Sequence, residues 1–352
     1  MVVFGLRIEP TPLQTRRVQN FLLKVLPFVA FAAPLAALYL LNPTDTYLNV
    51  TAQASFELMW KGRTFQLFFL WLIALEFILS WETIQSKINF KNKANVATYV
   101  LALLLPSLYL ISEFMGLDGV IASWSTQSGI AFANSMPLAI EYLVFSAIFC
   151  LTVYVAFGKK GLTGFALPAL FVALVGILYT IDNVFPYGEF TPFQLLVPTT
   201  AWLAAGVLGI MGYSSIPGVD PSSGMPTLDV SGPLGSAKFA IAWPCAGIES
   251  LLIFTAVALL FLKGMPISWK AKVGYFAFGA AVTYFINVLR IATIFTIGAQ
   301  YGVDSLQVQN FHYYYGPLYA MTWIVAYPLL IVGSSAAWGK LRKPQLKPPN
   351  PA

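Results

Sequence analysis

The chain has 352 residues, of which 58% are hydrophobic and 10% charged, with a formal net charge of +6. Soluble domains carry roughly 25% charged residues, so this composition excludes an ordinary water-soluble fold. The positive balance needs no nucleic-acid partner, because basic residues of membrane proteins collect on the cytoplasmic side.

Apolar runs able to cross a hydrocarbon core roughly 30 Å thick recur along the whole chain. They fall near 21–41, 64–81, 95–113, 136–157, 162–181, 245–262, 273–297 and 316–337. Their continuity predicts helices, which satisfy their own backbone in lipid, rather than the alternating strands of a barrel. The first run is longer than a signal-peptide core and lacks a small-residue cleavage site after it, so it reads as a retained span. The two cysteines, Cys150 and Cys245, give no disulfide framework, and Cys150 sits in an apolar run as packing.

A further apolar stretch, 192–212, carries Pro198 and several polar residues. If it spanned the membrane, the basic clusters around Lys87, Lys159 and Lys160 and those around Lys263, Lys270 and Lys340 would lie on opposite sides. A re-entrant or interfacial helix restores the parity. Both termini are then cytoplasmic, and of the 20 basic residues only Lys61, Arg63, Lys238 and Arg290 are not on that side. The outer segment 213–237 alternates turn formers with short extended runs and suits a small hairpin. Asn49-Val-Thr51 is a glycosylation sequon in another outer loop. The expected fold is thus an all-α polytopic integral membrane protein of about eight transmembrane helices, one re-entrant or interfacial helix and a small extracytoplasmic hairpin.

Three features converge on the outer face. Cys245 follows Pro244, a residue suited to a helix start, and so falls in a first turn whose free N–H groups favour a thiolate. Arg290 lies within a span, where a cation costs a few kcal/mol and calls for a polar cavity or counter-ion. Asn287 shares its face, and Glu249 is the nearest candidate partner. His312, the one histidine, precedes the last span among tyrosines that suit an interfacial belt. These supply a nucleophile, a cation and a proton-transfer group. A metal site is not expected from one histidine and two cysteines on different spans. No phosphate-binding loop is present, and no cofactor is expected. Glu76 and Glu141, within or near the membrane, are either parts of an ion pathway or hydrogen-bond partners between helices.

Pro-Cys245-Ala-Gly at the start of a span, Asn287-x-x-Arg290-Ile in the next and His312 before the last resemble the exosortase/archaeosortase family over about Tyr179 to Tyr327. The resemblance implies a membrane-embedded cysteine transpeptidase or protease with about eight spans. It implies Cys245 as nucleophile, Arg290 and His312 as its catalytic partners, and Asn287, Glu249, Ser250 and Gly247 as supporting residues. Its substrates would be exported proteins with a C-terminal sorting signal made of a short motif, a transmembrane helix and a basic end. A membrane lipid is the implied acceptor. The thaumarchaeal archaeosortase branch, with Pro-Glu-Phe-Gly type signals, is the nearest likeness. The chain then reads as one membrane domain, with N-terminal spans 21–181, a catalytic half 192–337 and a cytoplasmic basic tail 338–352. It sits in the cell membrane with its active site outside. Two rival readings are a small-molecule transporter lined by Arg290, Glu249, Glu76 and Glu141, and a non-enzymatic scaffold in which Cys245→Ser is silent.

Overall fold

The computed structural model describes residues 12–41, 63–185, 195–221 and 224–342. The sequon Asn49-Val-Thr51, Lys61, the first residues of the 192–212 stretch and the basic residues of the tail beyond Arg342 lie outside the described residues. The chain divides into two compact units, Met1–Pro186 and Tyr187–Ala352.

The first unit contains α1 (Pro12–Leu41), α2 (Thr64–Leu79), α3 (Lys93–Phe114), α4 (Leu117–Gln127), α5 (Met136–Gly164) and α6 (Ala166–Val184). Its helices meet through aromatic side chains. Phe149 is the hub, edge-on to Phe31 at 5.3 Å and to Phe69 at 5.1 Å. Such T-shaped pairs add about 0.5–1.5 kcal/mol each beyond the area they bury. Helix α5 is broken at Gly158, whose φ of +67° is a conformation that L side chains resist. The break leaves the Ala156 carbonyl open to the Lys87 N–H, at 2.9 Å, which ties the segment between α2 and α3 to α5.

Arg63, assigned to an outer loop by sequence, is 4% exposed and bonded to the fully buried Glu141. Its Nη2 lies 2.6 Å from Glu141 Oε2 and its Nε 3.0 Å from Oε1, a two-pronged pair to which Gln66 Nε2 adds a further donor. The charge sits one residue ahead of α2, so by position it resembles a loop cation. In three dimensions it neutralises a carboxylate that would otherwise be stranded in α5.

The second unit contains α7 (Val197–Ile210), three antiparallel strands β1 (Ser214–Val219), β2 (Pro226–Gly232) and β3 (Gly235–Ala240), then α8 (Ile248–Gly264), α9 (Trp269–Tyr301), α10 (Leu306–Asn310) and α11 (Gly316–Arg342). The expected hairpin is a three-stranded sheet in the order β1-β2-β3. Leu228 and Val230 of β2 and Ala237 of β3 are buried on its inner face. Phe239 meets Phe295 of α9 edge-on at 5.1 Å, anchoring β3 to that helix.

Six helical stretches among the described residues are long and apolar enough to cross a membrane: Gln19–Leu41, Lys93–Phe114, Ala133–Gly164, Ala166–Val184, Trp269–Tyr301 and Gly316–Ala337. Of the eight expected spans, those near 64–81 and 245–262 are shorter helices of 16 and 17 residues. Helix α7, from the ambiguous stretch, has only 14 residues, or roughly 21 Å at 1.5 Å per residue. The chain is a polytopic helical membrane protein.

Candidate active site

Helix α9 carries the site. Asn287 and Arg290 are three residues apart and share a face, and each holds a different turn of the second unit. Asn287 Nδ2 donates to the Cys245 carbonyl at 2.7 Å. Arg290 Nη2 donates to the His312 carbonyl at 3.0 Å. The turn bearing the cysteine and the turn bearing the histidine are thereby fixed to consecutive levels of one helix. Between them Cys245 Sγ and His312 Nε2 stand 3.7 Å apart, within sulfur hydrogen-bond range.

Sequence placed Cys245 in the first turn of a helix, but it occupies a separate 3₁₀ turn, Trp243–Ala246. Its own N–H is taken by the Ala242 carbonyl at 3.0 Å, and α8 begins only at Ile248. Gly247 joins turn and helix in the left-handed region, at φ +90°. A Cβ there would also lie 3.0 Å from the Asn287 side-chain amide, so glycine is required both for the backbone and for the approach of α9. The helix-terminus argument for a thiolate therefore does not hold. Burial pushes the Cys245 thiol above its usual range, the Arg290 cation pulls it down, and the Glu249 carboxylate pushes it up again.

His312 lies in a π-helical turn, Phe311–Tyr315, inserted where α10 passes into α11. Such turns displace side chains from the regular helix and recur at functional sites. Burial, and next the Arg290 cation, lower its pKa to about 4. At neutral pH the pair is a neutral thiol facing a neutral imidazole that is able to accept its proton.

Arg290 forms no ion pair among the described residues, so the pairing with Glu249 expected as one alternative is not made. Its Nε is buried with no hydrogen-bond partner and packs where Gly316 leaves room, since a Cβ on Gly316 would come within 2.7 Å of it. Glu249 Oε1 and Asn287 Oδ1 are likewise buried without partners. Ser250, in the first turn of α8, is half-buried and hydrogen-bonds to none of the three. The structure thus brings Cys245, His312, Arg290, Asn287 and Gly247 together. Sequence reasoning missed Gly316 and the Arg290 bond to the histidine backbone. The glycine that ends the Tyr313-Tyr-Tyr315 run was the available signal. No three His, Cys, Asp or Glu side chains among the described residues are grouped as a metal site requires.

A family model described as transmembrane exosortase (Exosortase_EpsH) matches residues 60–330, well over half of the chain. No curated protein and no solved structure is significantly similar to it.

Proposed function

The chain belongs to the transmembrane exosortase family of membrane-embedded protein-sorting transpeptidases, which act on exported proteins bearing C-terminal sorting signals, and from that premise we propose that it works through Cys245. The observation that carries this reading is the 3.7 Å approach of Cys245 Sγ to His312 Nε2. Proton transfer from Sγ to Nε2 frees the thiolate to attack the scissile carbonyl of the sorting motif. The imidazolium then gives its proton to the leaving amine, and the tail departs while the exported protein remains as a thioester. The acceptor's nucleophile next loses its proton to His312 and displaces the thiolate, which recovers a proton. Arg290 supports the thiolate and the tetrahedral oxyanion electrostatically, in surroundings dry enough to strengthen the effect. It also fixes the histidine backbone.

In this reading the active site faces the outside of the cell membrane and both termini are cytoplasmic, as the distribution of basic residues supports. The acceptor is a membrane lipid, and the signal is of the archaeal Pro-Glu-Phe-Gly type. An ion pathway through Glu76 and Glu141 is disfavoured because both have local partners. Glu141 is held by Arg63 and Gln66, and Glu76 accepts from Ser80 Oγ at 3.1 Å.

The test is co-expression with a reporter carrying such a signal, with mass spectrometry of the reporter's C-terminus. Loss of the tail with the wild type but not with Cys245→Ala supports the reading, and any added mass identifies the acceptor. Equal processing by both proteins contradicts the cysteine mechanism.

A further inference from the structure

The first unit holds a cavity of about 430 Å³ that the transpeptidase reading does not use. It lies where the segment after α2 crosses the Gly158 break in α5, and Lys87 and Lys160 line it together with Ser86. Neither ammonium group has a hydrogen bond or ion pair among the described residues. Ser86 Oγ accepts from the Ile88 N–H at 3.3 Å, which leaves its own proton free to donate. Ser80 and Thr83, by contrast, already spend theirs on Glu76 and on the Ser80 carbonyl. Lys87, Lys160, Ser86 and the Gln85 amide therefore offer donors, two of them cationic, to one cavity whose lining contains no Asp or Glu. Ile84, Phe157 and Phe165 give it an apolar side.

A ligand for this cavity needs several acceptor oxygens, negative charge and an apolar part. Its depth in the membrane narrows the choice. Met136–Phe157, the part of α5 before the break, covers roughly 33 Å at 1.5 Å per residue, about the thickness of the hydrocarbon core. The break and the cavity beside it thus stand at headgroup level. The stem of Lys87 lies over Gly158, where a Cβ would be 2.9 Å from it, so glycine also keeps that lysine at the cavity. We propose that this cavity binds the phosphate-bearing headgroup of an anionic membrane lipid, with Lys87, Lys160 and Ser86 on the phosphate oxygens and the acyl-glycerol part against Phe157 and Phe165.

The experiment uses the delipidated full chain and short-chain phosphatidylglycerol, with bound lipid counted by native mass spectrometry. The comparisons are phosphatidylcholine, inorganic phosphate as competitor, and the variants K87Q/K160Q, S86A and K159Q. Lys159 is exposed on the same stretch but does not line the cavity. The double variant should bind phosphatidylglycerol roughly 30-fold more weakly, two surface lysines each contributing a factor of about five. S86A should weaken binding less, and K159Q should leave it unchanged. Equal loss in K159Q would reduce the effect to diffuse surface charge. Displacement by millimolar inorganic phosphate would point to a free anion instead of a lipid. Unchanged binding in K87Q/K160Q, or equal uptake of phosphatidylcholine, would overturn the proposal.

Discussion

Arg63 and Arg290 both belong to apolar helical surroundings, yet the two regions use their charge in opposite ways. Arg63 is almost fully buried, and its guanidinium is matched by Glu141 through two prongs, with Gln66 completing the carboxylate's shell. Arg290 is half-buried and forms no ion pair among the described residues; it spends one bond on a backbone carbonyl and leaves Nε unsatisfied. A neutralised pair is an internal strut with little field beyond itself. An uncompensated cation shifts its neighbours, and here the neighbours are a thiol and an imidazole 3.7 Å apart. What separates structural from chemical use of arginine in this chain is the presence of a counter-charge.

The sharpest way to break the comparison is to remove the cation at one site and the counter-charge of the cation at the other. Arg290→Gln should lower turnover of a sorting-signal substrate by about 10²-fold or more, the scale seen when an oxyanion-stabilising donor is lost. Arg290→Lys should recover little, because a point charge does not reproduce the planar fork. Glu141→Gln should instead act on stability, costing about 3–5 kcal/mol by leaving a buried guanidinium uncompensated, while Arg63→Met with Glu141→Leu should recover most of that loss. Thermal unfolding in detergent measures both variants, and a Glu141→Gln protein of wild-type stability would erase the distinction drawn here.

Smaller effects are expected at the cysteine itself, read as the pH profile of alkylation in a Cys150→Ser background. Gly247→Ala forces an L residue to φ +90°, costing about 1–2 kcal/mol, and presses on Asn287. It should slow alkylation by displacing the turn, and Asn287→Ala should do the same by releasing it. Glu249→Gln removes a carboxyl whose charged form pushes the thiol up, so alkylation at pH 9, where that carboxyl is ionised, should become faster by about two- to fivefold, with little change at pH 7. Arg290→Gln should move the same profile towards higher pH. If both substitutions shift it in one direction, the electrostatic account of the site is wrong.

The spans were legible because lipid imposes long apolar runs, and the gathering of Cys245, Arg290 and His312 was legible because all three lie at the same end of successive spans. The local conformation of the cysteine was not. Pro244 fits the start of an α-helix and a 3₁₀ turn equally well, and only Gly247, read with the Asn287 contact, separates them. Arg63 escaped notice because one residue ahead of an apolar run looks like a loop. Glu141 within a continuous apolar run, and Gln66 one turn after Arg63, were the two hints that such a cation was wanted nearby. The number of spans is blurred for a similar reason, since α2 and α8 end where polar turns begin, and those turns are set by packing rather than by hydropathy.

The central claim is that Cys245 forms an acyl-enzyme. Its most direct test is to process the sorting-signal reporter in the presence of hydroxylamine and weigh the product. The account predicts a reporter that has lost its tail and ends in a hydroxamate, formed by the wild type and absent with Cys245→Ala. The same hydroxamate from Cys245→Ala, or tail loss by the wild type that hydroxylamine never intercepts, would contradict a Cys245 thioester.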